Sequence, residues 1–261
     1  LNAYTEPVDF DIISGKIIEA RSFPLRIKVV LPGAEEGVSF AGTVVVDGPA
    51  SALSGNILAK GLNAQGMVSS FQNIFQNKVA HPVNSARPFE LKTKLIVTKA
   101  RIELKPFFLK VAESVAEGEI LYLPEEPVPN INATLKINTL KLDNWLTGIE
   151  QNNDFSISSR ELPDYVGSID INFGVIEYND EIINRASVKG QFQNNKFEIE
   201  RAQALLPGGS NIRVMGKADF KDQKNPKFNG EFRLSGNNLR KLLNWSGIDL
   251  RNIPTGQLTN F

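Results

Sequence analysis

The sequence predicts a mainly β protein, an extended antiparallel sheet built by repetition and carrying about three short helices. Three observations predict it: a segment that occurs twice, apolar residues that alternate with period two, and clusters of turn-forming residues between the alternating runs. Leu31-Pro32-Gly33 recurs as Leu206-Pro207-Gly208, at an offset of 175. Phe40-x-Gly42-x-Val44-x-Val46 is echoed by Val214-x-Gly216-x-Ala218-x-Phe220 at an offset of 174. Leu53-x-Gly55-x-Ile57-x-Ala59-x-Gly61 then matches Phe228-x-Gly230-x-Phe232-x-Leu234-x-Gly236, back at 175. One shared tripeptide arises by chance; a tripeptide, two glycine-punctuated strands and a helical pattern at nearly constant offset do not. Repetition of this kind argues for an extended scaffold more than for one catalytic pocket.

The elements follow in chain order. After the first copy the spacing changes from two to helical. Met67, Phe71, Ile74, Phe75 and Val79 fall on one stripe and predict a helix over about Gln65 to Val79. Pro82 to Pro88 reads as a loop. Leu91, Thr93, Leu95 and Val97 alternate with Glu90, Lys92 and Lys94, which predicts a strand with one wet face. Glu113 to Pro129, with Glu125-Glu126 and three prolines, reads as a connector that breaks the ladder. A partial third unit follows. Pro129-x-Ile131-x-Ala133-x-Leu135-x-Ile137 leads into a helix over about Leu140 to Gly148, and no Leu-Pro-Gly precedes it. Ile169, Ile171, Phe173 and Val175 alternate with Ser168, Asp170 and Asn172. Ile212, Val214 and Ala218 alternate with Asn211, Arg213, Lys217 and Asp219, and Phe228, Phe232 and Leu234 with Asn229, Glu231, Arg233 and Ser235. Asp47-Gly48-Pro49, Gln193-Asn194-Asn195, Pro207-Gly208-Gly209 and Asp222 to Asn225 supply the turns. The last helix starts near Asn237 and ends by Gly247. Residues 1–80, 81–150 and 151–261 are expected to form the first unit, the degenerate middle unit with its connector, and the third unit of one continuous β domain.

Composition excludes several functions. Lys+Arg 29 balances Asp+Glu 29, so there is no basic excess to hold nucleic acid. No apolar run of about 18 residues exists to span a membrane as a helix. The absence of cysteine removes disulfides and thiolate chemistry. Beginning at Leu1 and stopping at Phe261 in mid-pattern, the chain reads as a piece of something longer.

Catalytic readings are weak. Gly208-Gly209 lacks the Lys-Ser/Thr of a phosphate loop and lies between strands, so it reads as a hairpin turn. His81, the single histidine, precedes Pro82 in a loop and cannot build a zinc site alone. Glu117, Glu119, Glu125 and Glu126 could be imagined as a carboxylate pair, but no aromatic platform accompanies them. Ser54 and Ser210 have no histidine partner. Trp145 and Trp245 occupy similar places on two helices and read as core anchors. No enzyme and no cofactor are expected.

The C-terminal third resembles a known family. Leu206-Pro207-Gly208-Gly209, Pro226-x-Phe228-x-Gly230, Asn238-Leu239-Arg240-x-Leu242-Leu243-x-Trp245-x-Gly247 and Ile253-Pro254-x-Gly256-x-Leu258 resemble the periplasmic region of AsmA-family proteins, over about Ala186 to Leu258 and more weakly over residues 25–75 and 129–146. The middle unit lacks Leu-Pro-Gly, and Ser246 stands where the family often carries an apolar residue. These motifs are fold signatures. The resemblance implies a Gram-negative envelope protein, tethered to the inner membrane by an N-terminal helix absent here, with its large part in the periplasm. It also implies similarity to TamB-like and bridge-like lipid-transfer proteins, whose sheet curls into a trough, greasy inside and polar outside.

Elementary physics leads to the same expectation. A sheet with one apolar face must cover that face or curl it inward, and three short helices are too few to cover about a dozen strands. Phospholipid or another acyl-chain lipid is the expected ligand, with envelope proteins as further possible partners. Phe192, Phe197, Ile199, Val214, Phe220, Phe232 and Leu234 are the candidate lipid-contacting residues, to be weighed against simple core packing. Two rivals remain. One is a β-rich adhesion or assembly module with a closed core that recruits partners by strand addition. The other is a carbohydrate-active module, which would need carboxylates beneath exposed aromatics.

Overall fold

The computed structural model describes residues 9–15, 21–30, 37–64, 87–124, 128–143, 165–220 and 227–250. They form thirteen strands and one α-helix, divided into two compact units at Pro129/Asn130.

The first unit holds β1 (Asp9–Ser14), β2 (Ser22–Val30), β3 (Gly37–Val45), β4 (Ala52–Gly61), β5 (Phe89–Thr98), β6 (Ile102–Val111) and β7 (Ser114–Leu123). Each strand pairs antiparallel with the next in the chain, so the sheet is an open meander. A residue and its cross-strand partner share a face. One row across the sheet reads Leu25, Gly42, Gly55, Leu95, Leu104, Ile120; the next reads Ile12, Ile27, Phe40, Ile57, Thr93, Phe107, Gly118. Lys28, Ser39, Lys92 and Glu117 lie on the opposite face. A bulge on β6 puts Leu104 and Phe107 on the same face although they are three residues apart. Burial concentrates where β4 ends: Ala59, Ala64 and Phe89 are buried, with Val29, Val38, Leu91 and Val111 packed against them.

The second unit holds β8 (Asn130–Lys141), β9 (Val166–Tyr178), β10 (Glu181–Gln193), β11 (Lys196–Leu206), β12 (Ser210–Asp219), β13 (Lys227–Ser235) and α1 (Leu239–Trp245). Here β9 to β13 also form an antiparallel meander. The pair β8–β9 departs from the antiparallel expectation and is parallel. The turns match their chemistry. Asn194 and Asn195 take φ of 52° and 58° between β10 and β11, the left-handed conformation a two-residue hairpin turn needs, and Gly208 and Gly209 take 79° and 71° between β11 and β12.

The repeat is visible in the ladder. The β3–β4 hairpin pairs Gly42 with Gly55, and the β12–β13 hairpin pairs Gly216 with Gly230 at the equivalent positions. The reason is close approach. A Cβ on Gly55 would stand 2.5 Å from the Ala41 carbonyl oxygen and 2.6 Å from the Gly42 Cα. The Phe40 ring lies over both Gly42 and Gly55, and the Phe228 ring over Gly230, in place of the missing side chains.

Several expectations need correction. The connector predicted over Glu113 to Pro129 is occupied by β7. The three prolines drew the assignment, but the strand stops at Leu123, before Pro124, so none interrupts its ladder. Leu140 and Lys141 extend β8 and do not start a helix. Leu142 is a turn residue and Asp143 is helical, so helix begins about three residues later than predicted. Residues 144–148, Gln65 to Val79, Trp145, His81, Glu125, Glu126 and residues 253–258 lie outside the described residues. The predicted C-terminal helix is α1, where the Asn238 side chain accepts a hydrogen bond from the Lys241 backbone N–H at 2.8 Å. Among the described residues no helix is long and apolar enough to cross a membrane.

Candidate functional site

The feature that stands out in the second unit is one face of its sheet. Strand register brings Ile131, Gly167, Phe192, Phe197, Ala218 and Phe228 into one row. The next two rows read Ala133, Ile169, Gly190, Ile199, Gly216, Gly230, then Leu135, Ile171, Val188, Ala202, Val214, Phe232. Ala204, Ile212 and Leu234 continue it. No charged residue enters these rows.

Six of the seven candidates therefore share a face: Phe192, Phe197, Ile199, Val214, Phe232 and Leu234. Phe220 does not belong to a row. It lies one residue beyond β12, 44% exposed, where its backbone N–H donates to the Asn195 carbonyl at 2.8 Å. Sequence reasoning missed Gly167 and Gly190 on this face. Phe192 has a ring carbon 2.6 Å from where a Cβ on Gly167 would sit, and Phe197 has one 2.7 Å from the corresponding point on Gly190. These rings lie over glycines of the neighbouring strand, so they pave the face and do not stand away from it.

Coverage of the face is incomplete. Among the described residues, no side chain larger than a serine is completely buried. Phe228 and Phe232 on β13 are 49% and 60% exposed. The buried apolar residues of this unit, Ile183, Ala186, Leu242 and Leu250, gather at the end where α1 sits. There α1 rests on the Pro207–Gly209 turn, with the Lys241 Cβ 3.2 Å from where a Gly208 Cβ would be. Trp245 anchors the helix: its Nε1 donates to the Tyr178 carbonyl at 3.1 Å, and the two rings meet edge to face at 5.9 Å. A tryptophan committed in this way fits the core-anchor reading.

The back face is polar and carries several side-chain pairs, although the buried Ser187 hydroxyl has no hydrogen-bond partner. The Ser168 hydroxyl donates to Asn132 at 2.6 Å, Lys217 pairs with Glu198 at 3.1 Å, and Arg233 with Glu231 at 3.1 Å. Glu200 accepts from Gln191 and pairs with Lys189, and these contacts hold its carboxyl below the usual range.

Glu119 is paired with Lys105, which raises the lysine's pKa, and Ser210 is fully buried at the start of β12. Among the described residues no group of three His, Cys, Asp or Glu could hold a metal ion. Chelator treatment is expected to leave the thermal midpoint unchanged within about 1 °C. A reproducible drop in a thermal scan would reveal a structural metal.

Comparison of the chain with protein-family models, with curated proteins and with solved structures gives no match.

Proposed function

We propose that this protein is a non-enzymatic shield for lipid tails, with the apolar face of each sheet as its floor. The observation that carries the reading is the uncharged face running across β8 to β13, with Phe228 and Phe232 left in contact with solvent. A contiguous apolar surface of this kind calls for a ligand, and acyl chains match it in chemistry and in lack of fixed geometry. Full burial of a methylene contributes about 0.8 kcal/mol, so eight half-buried methylenes contribute about 3 kcal/mol. That favours loading while permitting movement along the face.

The glycine-paired hairpins and α1 fall within the segments that resemble the AsmA family. On that resemblance, the reading places the chain in the periplasmic part of an envelope protein tethered to the inner membrane. It would there shield phospholipid tails on their way to the outer membrane. The polar back face would meet the aqueous phase.

Site-specific photocrosslinking tests the assignment of faces. A photoreactive residue at Phe232 is expected to capture lipid in envelope-producing cells, and one at Arg233, on the back face of the same strand, is not. Equal capture at both positions would remove the basis for the proposal and favour the closed adhesion module.

A further inference from the structure

Charge is unevenly spread over the back face of the first sheet. Register places Arg26, Ala41, Asn56 and Lys94 in one row, and Lys28, Ser39, Leu58, Lys92 and Phe108 in the next. Lys60, Glu90 and Lys110 form a third. Five cations on β2 to β5 thus meet a single acid, Glu90, and Lys110 adds a sixth cation from β6. All six are exposed to solvent. The other acids of this face surround the block: Asp11 on β1, Glu103 near the start of β6, and Glu117 and Glu119 on β7. Glu103 is paired with Arg101 at 3.6 Å and Glu119 with Lys105.

Within the block, Lys92 pairs with Glu90 at 2.7 Å. The Glu90 carboxyl is held below the usual range, first by that hydrogen bond and then by the charges of Lys92, Lys60 and Lys110. Arg26, Lys28, Lys94 and Lys110 form no ion pair among the described residues. Two aliphatic side chains stand among the cations, both exposed: Leu58 between Ser39 and Lys92, and Ile13 beside Arg26.

The arrangement says what kind of partner fits. From the usual spacings, the six charges cover about 19 Å across the strands and about 13 Å along them, a patch and not a line that one peptide could trace. Five of the six are lysines, mobile point charges that suit diffuse negative charge, whereas a fixed carboxylate partner favours the arginine fork. Aliphatic side chains set between cations can enter the boundary of headgroups and acyl chains.

We propose that the back face of the first unit docks on an anionic bilayer surface, with its cations over the lipid phosphates and Leu58 between them. The headgroup layer is hydrated, so the face stays in water there. This proposal is independent of the lipid-shield reading, because it rests on the charge of the back face and not on what fills the apolar one.

The test is co-sedimentation of the full chain with vesicles of phosphatidylcholine alone, or with about a third of the lipid replaced by phosphatidylglycerol. Partition onto the anionic vesicles is expected to exceed that onto neutral ones at least about tenfold, and to fall as salt rises from about 0.1 M to about 0.5 M. Each cation near such a surface contributes about fivefold, so Lys28→Glu combined with Lys94→Glu should lower the partition at least about twentyfold. Lys136→Glu combined with Arg213→Glu makes the same charge change on the back face of the second unit and should lower it about threefold or less. All four side chains are exposed, so both variants should keep the wild-type thermal midpoint. Equal partition onto both vesicles, binding that ignores salt, or equal losses in the two variants would each overturn the proposal. Capture by soluble polyglutamate without vesicle binding would overturn it in favour of an acidic protein partner.

Discussion

Replacing Phe232 by aspartate is expected to abolish lipid retention while leaving the fold intact. The ring is 60% exposed on an edge strand, so its removal costs about 1 kcal/mol or less, a shift of no more than about 4 °C in thermal midpoint. An acyl chain laid across the same position would have to desolvate a carboxylate. That costs more than the 1.4 kcal/mol equivalent to a tenfold loss of affinity. At least a tenfold drop in co-purified lipid is therefore expected at nearly unchanged stability. Arg233→Asp is the matched control. It changes the back face, where Arg213 lies directly across β12 and would pair with the new acid. Lipid content should be the same as wild type. A loss of lipid in both variants would mean that charge on β13, and not its apolar face, governs binding.

A large loss of stability is expected at Gly55→Ala. A methyl group there meets the Ala41 carbonyl oxygen at 2.5 Å, the Gly42 Cα at 2.6 Å and the Phe40 ring at 2.7 Å. Two of these are backbone atoms held by central strands, so relief requires the β3–β4 ladder to part. A destabilisation of about 3 kcal/mol follows, at the upper end of the usual cost of overpacking. Gly230→Ala places the same methyl against the Met215 carbonyl oxygen, more closely than any contact at Gly55, and against the Gly216 Cα and the Phe228 ring, both at 2.7 Å; among the described residues β13 has a neighbour on one side alone and can shift outward, so the cost should be smaller. Gly209→Ala has nothing within 4 Å and should cost about 1 kcal/mol, from its φ of 71° alone. Chemical denaturation of the three variants should rank them in that order. Equal losses would mean that close strand approach is not what the glycines serve.

The legible parts of the fold were those where period two runs unbroken. β5, β8, β9, β12 and β13 alternate cleanly, and their apolar positions share faces in the ladder. β6 and β11 were harder to read because bulges set Leu104 and Phe107, and Ile199 and Ala202, three apart on one face. β7 was hidden by the prolines beyond it. The parallel pairing of β8 with β9 has no local signature, since a strand's own alternation does not encode its neighbour's direction. The apolar face was foreseeable from Phe192, Phe197 and Phe232 taken singly. Its paving was not, because a ring lying over a glycine on the next strand depends on register.

Native mass spectrometry of the protein purified from a Gram-negative envelope measures the central claim most directly. The account predicts adducts in the mass range of phospholipids on the wild-type chain and on Arg233→Asp, and their loss in Phe232→Asp. A wild-type chain that carries no lipid, with Phe228 and Phe232 shielded from solvent by protein, would contradict it.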